Sequence, residues 1–392
     1  MRIFMLSWEF PPRIIGGISR HVEGLSQALA KVGNEVHVIT LDFPNTAPYE
    51  YLDGYHIHRV PVEVPSPTFH TWVLLFNNAF ERKIGDISRK FGKPDIIHSH
   101  DWLTVPAGIA SKHLLRTPMV MTFHSTERMR SSGSTAPESV MVHSLEWWGA
   151  FESTYVITVS KFMKSHVVPT FNLPSNKVRT IYNAIDLSKF DQSIDKGDVR
   201  KRWGVGVDEK LVTTVGRLTW QKGFDNLIKA FPTVLKEKPN SRLMIIGDGY
   251  MRLELENLTH TLGIRDKVIF TGFVNDTELL ADMKAADLMV IPSRFEPFGM
   301  VALEGMASGV PVVVSGIEGL SEIVEQGVDG LYVNQNDVND ISQVVIKALS
   351  DDSLRERLAS NAKERVKQFS WDAISRKTLT TYQGAIEDVK FE

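Results

Sequence analysis

The chain has 392 residues, with 44 Lys+Arg against 47 Asp+Glu for a formal net charge of −3. Hydrophobic residues make up 43% and charged residues 23%, which excludes a largely disordered chain, and the near-zero balance excludes a dedicated nucleic-acid binder with its basic stripe. There is no cysteine, so disulfides, thiolate metal sites and cysteine nucleophiles are ruled out, in keeping with the cytoplasmic location expected here.

The opening run Met1–Ser7 meets a carboxylate at Glu9 too soon for a signal peptide, and nowhere do about 18 uncharged apolar residues follow one another. No integral membrane contact is expected. Short apolar runs predict strands over Ile3–Leu6, Glu35–Leu41, Ile57–Val60, Asp95–His98, Met119–Phe123, Tyr155–Val159 and Val178–Ile181. Helical patterns fall between them at Ile18–Val32, Trp72–Phe91, Leu103–Leu115 and Lys161–Thr170. After Trp203 the rhythm restarts, with strands at Leu211–Val215, Arg242–Ile246, Val268–Thr271, Leu288–Ile291 and Val310–Val314. Their helices are Phe224–Leu235, Tyr250–Leu262, Asp276–Ala285, Met300–Ala307 and Val338–Leu349.

Continuous Val/Ile-rich strands separated by helices imply parallel sheets covered on both faces. The fold class is therefore α/β, with two doubly wound, Rossmann-like domains in tandem. The first spans 1–185, the second 186–369, and a terminal helix over 370–392 is expected to cross back to the first, divided from the preceding helix near Phe369-Ser370. Ligands of such sheets sit beyond the carboxyl ends of the strands, so the cleft between the two domains is the expected site.

Five segments follow strands and carry chemistry. Gly16-Gly17 stands just before a helix, where glycine lets the backbone approach a ligand and the helix start favours phosphate; a plain tight turn is the alternative. His98-Ser99-His100-Asp101-Trp102 could bind metal or read a sugar, with Trp102 as a stacking face. Metal is disfavoured because no other strand end supplies a matching His and Asp set. His124 follows Phe123 and is either structural or a ligand contact. Arg217 and Lys222 offer a guanidinium fork and a point charge suited to a diphosphate. Glu296 and Glu304 flank a loop-to-helix junction, Glu304 on a helix whose neighbours Ala302, Leu303, Met306 and Ala307 predict burial.

In this order and placement the segments resemble the family 4 retaining glycosyltransferases with the two-domain GT-B fold, and within them short glycogen-synthase-type glucosyltransferases. The resemblance implies that Glu296 holds sugar hydroxyls, with backbone contacts from Phe298, Gly299 and Met300, and that Glu304 binds the nucleotide ribose. It implies that Arg217 and Lys222 neutralise the diphosphate, helped by the amides of Gly16 and Gly17. His124 would contact the 6-hydroxyl region of the sugar, His100, Asp101 and Trp102 would serve the acceptor, and Gly272 and Phe273 would line the base pocket. Bacterial glycogen and starch synthases carry Lys-x-Gly-Gly near their start, whereas Ile14 stands in the lysine position here.

The function so implied is transfer of glucose from a nucleoside diphosphate glucose to an α-1,4-glucan or small glucosyl acceptor, with retention and with no metal or other cofactor. The rivals are a lipid- or polysaccharide-directed hexosyltransferase, a nucleotide-sugar epimerase, and a nucleotide-sugar binding module without transferase activity. The lipid-directed reading would look to the apolar stretch Phe69–Phe80, which reads mostly as core.

Overall fold

The computed structural model describes residues 1–131 and 133–389, and the chain divides into two units, Met1–Ala184 with Trp371–Glu392, and Ile185–Ser370. Residues 390–392 of the expected terminal helix lie outside the described residues.

The first unit opens with β1 (Arg2–Leu6), α1 (Gly17–Lys31), β2 (Glu35–Leu41), β3 (Tyr49–Leu52), β4 (Tyr55–Val60) and α2 (Phe69–Phe91). It continues with β5 (Ile96–His100), α3 (Val105–Leu115), β6 (Met119–Phe123), α4 (Glu127–Arg130), α5 (Pro137–Glu152), β7 (Tyr155–Thr158), α6 (Lys161–Thr170) and β8 (Val178–Thr180). The sheet order is β3-β4-β2-β1-β5-β6-β7-β8, parallel except for the β3–β4 hairpin. That hairpin turns at Asp53-Gly54, both with positive φ, as a tight turn between twisted strands requires. β3 is absent from the sequence-based expectation because it is a mostly exposed edge strand without an apolar run.

The second unit contains α7 (Lys196–Arg202), β9 (Lys210–Val215), α8 (Phe224–Glu237), β10 (Ser241–Ile246), α9 (Arg252–Thr261), β11 (Val268–Gly272), α10 (Asp276–Ala285) and β12 (Leu288–Ile291). It is completed by α11 (Met300–Ala307), β13 (Val312–Ser315), α12 (Leu320–Ile323), β14 (Leu331–Val333), α13 (Val338–Ser350) and α14 (Asp352–Val366). The order β11-β10-β9-β12-β13-β14 is parallel throughout. Central strands are buried on both faces, which is why they read as unbroken apolar runs: Ile3 to Leu6 and Val312 to Val314 are fully enclosed. Local chemistry sets the helix starts. Thr68 accepts the Thr71 N–H at the start of α2, and Asn275 with Glu278 forms a reciprocal capping box on α10.

The last helix, α15 (Trp371–Asp388), packs on the first unit, where Ile374, Tyr382 and Ala385 join the core of Ile3, Met5, Val22, Leu25 and Ile96. A Cβ at Gly24 of α1 would lie 2.2 Å from the Trp371 ring, so only glycine lets this indole seat on α1. In each sheet the strand order reverses once, between β1 and β5 and between β9 and β12. These switch points, at the carboxyl ends, are where ligands of doubly wound sheets bind.

Candidate active site

In the first unit β5 extends through His100, two residues beyond the expected end, so His98 and His100 share one face of the strand. His98 is fully structural: Nδ1 meets the Tyr382 hydroxyl at 2.6 Å and Nε2 the Thr122 hydroxyl at 2.7 Å. His100 Nδ1 is 3.1 Å from His124 Nε2, and the His21 ring of α1 packs edge-on to His124 at 4.8 Å and to His100 at 5.4 Å. Burial lowers all three pKa values, His124 to about 3, so the cluster is neutral at pH 7. Among the described residues His100 Nε2 and His21 Nδ1 are buried without a hydrogen-bond partner, a polar capacity that a ligand hydroxyl can satisfy.

Asp101 follows at φ 55°, a backbone state that a non-glycine residue holds at a cost of about 1–3 kcal/mol. Its carboxylate accepts the His124 N–H at 2.7 Å, which fixes the loop carrying that imidazole. Burial raises its pKa to about 6 despite the attraction of Arg130. Arg130 also donates to the buried Glu146 (2.9 Å) and to the Ser125 hydroxyl (2.6 Å). Burial pushes Glu146 up to about 8 against that pairing.

Two expectations for the first unit need correction. Trp102 is not an open stacking face: it is 6% exposed, with Phe69 edge-on at 6.3 Å and His70 stacked at 6.2 Å over it. The amide of Gly16 is not open to a diphosphate, because the buried Glu9 carboxylate already accepts the Ile15 and Gly16 N–H groups at 2.6 and 2.8 Å. Gly17 is exposed and begins α1. α1 and the loop after β6 bring companions to His100: one nitrogen each of His21, His100 and His124 lies within 4.8 Å of the others. A second such group, Glu35, His37 and His56, lies at the amino ends of β2 and β4.

In the second unit two loops are tied together at the β9/β12 switch point. After β9, Arg217 is exposed, and a short 3-10 turn over Trp220–Lys222 leads to Gly223 at φ 68°. A Cβ at Gly223 would lie 2.1 Å from the Pro292 carbonyl oxygen, so glycine alone permits this approach to the loop after β12. Arg294 secures it from the other side: its N–H reaches the Gln221 carbonyl at 2.8 Å, and its guanidinium grips Asp225 in a fork at 2.7 and 2.8 Å.

The result is a Lys222 Nζ–Glu296 Oε2 ion pair at 2.6 Å, so the two residues given separate roles from the sequence form one unit. Phe298 is buried and Gly299 caps α11, at whose start Met300 stands. Glu304 is half-buried on a helix whose residues Ala302, Leu303 and Gly305 to Ala307 are enclosed. Gly272 ends β11 and accepts the Gly247 N–H at 3.0 Å, while the Phe273 side chain is 81% exposed.

Residues that sequence reasoning missed complete both halves. Glu318, at φ 47° in the loop after β13, accepts the Glu296 N–H at 2.6 Å; burial, with the neighbouring Glu296 charge, raises its pKa to about 7. Its signal was a carboxylate between two glycines at a strand's end. Glu9 acts within its own loop, on amides six and seven residues away, whereas His21, Arg130 and Glu146 carry no local signal and reach the site through tertiary contacts.

Residues 195–365 match the family model described as "Glycosyl transferases group 1", and residues 15–189 match "Glycosyltransferase Family 4". An uncharacterized glycosyltransferase of Methanocaldococcus jannaschii is 43% identical over 99% of each chain. A glycogen synthase of Mycobacterium tuberculosis is 34% identical over 98% of this chain and 95% of its own. Among solved structures, a sucrose-phosphate synthase from Thermosynechococcus elongatus superposes with a TM-score of 0.84 at 25% identity, covering 99% of this chain and all of its own. Relatives that run the full length, with both family models matched in order, establish that the chain belongs to glycosyltransferase family 4 and is a glycosyltransferase of the GT-B fold.

Proposed function

We propose that this enzyme transfers glucose, with retention, from a nucleoside diphosphate glucose to an α-1,4-glucan or a small glucosyl acceptor. The observation that carries the reading is the Lys222–Glu296 pair at the β9/β12 switch point: a cation and a carboxylate fixed together, beside the N-terminus of α11, suit a ligand with an anionic and a hydroxylated end. Full-length likeness to a glycogen synthase supports glucose and glucan as the substrates.

Arg217 and Lys222 neutralise the leaving diphosphate, and Gly17 adds its amide. Glu296 orients sugar hydroxyls with the backbone of Phe298, Gly299 and Met300, Glu304 takes the ribose, and Gly272 and Phe273 flank the base. From the first unit, His124 addresses the 6-hydroxyl region of the transferred sugar. His100 and Asp101 bind the acceptor, with Trp102 acting as packed support. The C1–O bond to the diphosphate breaks as the acceptor oxygen bonds to C1 on the same face, and the acceptor proton passes to the departing phosphate oxygen. Positioning and electrostatic stabilisation supply the rate, and the two cations make a metal unnecessary.

The deciding experiment is a donor-by-acceptor matrix followed by nucleoside diphosphate release and product linkage. ADP- and UDP-glucose are set against maltooligosaccharides, glycogen and glucose 1-phosphate. Release with new α-1,4 linkages supports the reading. Release only with lipid acceptors, an altered free nucleotide sugar without acceptor, or tight binding without release would each overturn it in favour of a named rival, and activity abolished by chelation would overturn the metal-independent mechanism. The lipid-directed rival has one observation in its favour, an exposed apolar face of α5 formed by Val140, Trp147, Trp148 and Phe151. The stretch Phe69–Phe80 is divided: Val73, Phe76, Ala79 and Phe80 are buried, while Phe69 and Leu74 are exposed. Among the described residues no helix is long and apolar enough to cross a membrane.

A further inference from the structure

A second group of imidazoles lies at the amino ends of β2 and β4, the opposite strand ends from the histidine cluster. His37 and His56 are partners in parallel register, and their rings stack at 4.3 Å with 7° between planes. Glu35 stands two residues before His37 and therefore projects on the same face of β2. One ligand atom from each of the three lies within 4.8 Å of the others.

We propose that Glu35, His37 and His56 form a binding site for a divalent transition-metal ion of the zinc type, separate from the glycosyl-transfer residues. The proposal does not depend on the function proposed above. Two imidazoles and a carboxylate are a ligand set such ions favour. The hydrogen bonds around the three residues also fit. Arg2 holds Glu35 Oε2 at 2.9 Å, leaving Oε1 directed at His37 Nε2, 3.0 Å away. His37 Nδ1 meets His58 Nε2 at 2.9 Å, and His56 Nδ1 meets the Tyr49 hydroxyl at 2.9 Å. Each ring thus has an outer partner for its Nδ1, the arrangement that orients a metal-binding imidazole, with Nε2 left for the ion.

In the free protein the His37 Nε2–H donates to Glu35 Oε1, and an ion bound there takes the place of that proton, with Nδ1–H then donating to His58 Nε2. Metal–ligand bonds of about 2.0–2.2 Å place tetrahedral ligand atoms roughly 3.4 Å apart. Closure therefore asks for a shift of about an ångström from Glu35 and for the His56 ring to turn out of its stack, because an imidazole binds an ion in its own plane; both residues are partly exposed, against a fully buried His37. The partial exposure also lets water complete the coordination.

The test uses the full-length chain, freed of metal by chelation and titrated with Zn²⁺ by calorimetry and with Co²⁺ by visible absorption. One equivalent is expected to bind with micromolar affinity, and the Co²⁺ complex to show d–d bands of low-coordinate geometry. His56→Phe and Glu35→Gln should each weaken binding at least about tenfold, and Tyr49→Phe should do so to a smaller degree. His124→Ala should leave it unchanged. Absence of binding at 100-fold excess over protein, undiminished binding in His56→Phe, or loss of binding in His124→Ala instead would each overturn the proposal. The buried His37 is left intact so that a folding failure does not mimic a lost ligand.

Discussion

The two units present contrasting chemistry at equivalent places in their sheets. At the β1/β5 switch point the first unit gathers uncharged imidazoles, an aspartate and unmatched ring nitrogens, nearly all enclosed. At the β9/β12 switch point the second unit presents charges: Arg217 open to solvent, and Lys222 and Glu296 held by loops that Arg294 and Asp225 lock together. One topology therefore supports a neutral hydrogen-bonding surface in one copy and an ionic one in the other. The sheet decides where ligands meet the protein, and the loop residues decide what kind of ligand is met.

The sharpest way to break the comparison is to remove charge from the second unit. Lys222→Ala or Arg217→Ala is expected to lower turnover by about 10²–10³-fold, in the range of a lost transition-state donor. Because Arg217 is exposed, its thermal midpoint should stay put. Near-normal turnover in both variants would remove the leaving-group role. Since Lys222 and Glu296 are paired, Lys222→Ala combined with Glu296→Gln should cost less than the sum of the single changes, as a double-mutant cycle would reveal.

A smaller effect is expected where the first unit depends on its returning helix. Gly24→Ala forces a methyl group into the Trp371 ring and should cost about 1–3 kcal/mol, read as a lowered denaturant midpoint. Trp371→Phe in the same chain should recover part of that loss, and full additivity would count against this account of the contact.

Glu318 sharpens the contrast through pH. It titrates near 7 in the folded chain against an ordinary value of 4.5, so the folded state holds the proton more tightly. Stability attributable to Glu318 is then fully present below about 4.5 and lost as pH rises to about 7. Glu318→Gln should flatten that decline by about 1–2 kcal/mol, after allowance for partial exposure, in unfolding curves taken across the window. An unchanged pH slope would mean that its carboxyl is not perturbed as described. The smallest stability effect belongs to Phe273→Ala. The side chain is largely exposed, so stability should move by less than about 0.5 kcal/mol, while the preference between ADP- and UDP-linked donors shifts.

Much of this was legible in the chain. Met119–Phe123, Leu288–Ile291, Lys161–Thr170, Asp276–Ala285 and Met300–Ala307 form as their local patterns predict, because buried parallel strands and capped helices write their periodicity into neighbouring residues. Both switch-point loops were marked by glycine, proline and polar residues following strands. The β3 edge, the short β14 and α5 were not. β3 is too exposed, β14 too short, and α5 too mixed in its apolar spacing to stand out.

What local pattern determined, then, was the alternation of elements, the two parallel sheets and the strand ends that carry polar side chains, since these depend on residues within one or two turns of each other. What only the tertiary structure decided was partnership. Tyr382 reaches His98 across 284 residues of chain, Lys222 joins Glu296, and Glu318 takes the Glu296 N–H. Each of these is a hydrogen bond or ion pair between groups distant in sequence, made where burial removes water as a competitor. Its existence depends on how strands and helices are ordered in space, which spacing along the chain does not encode.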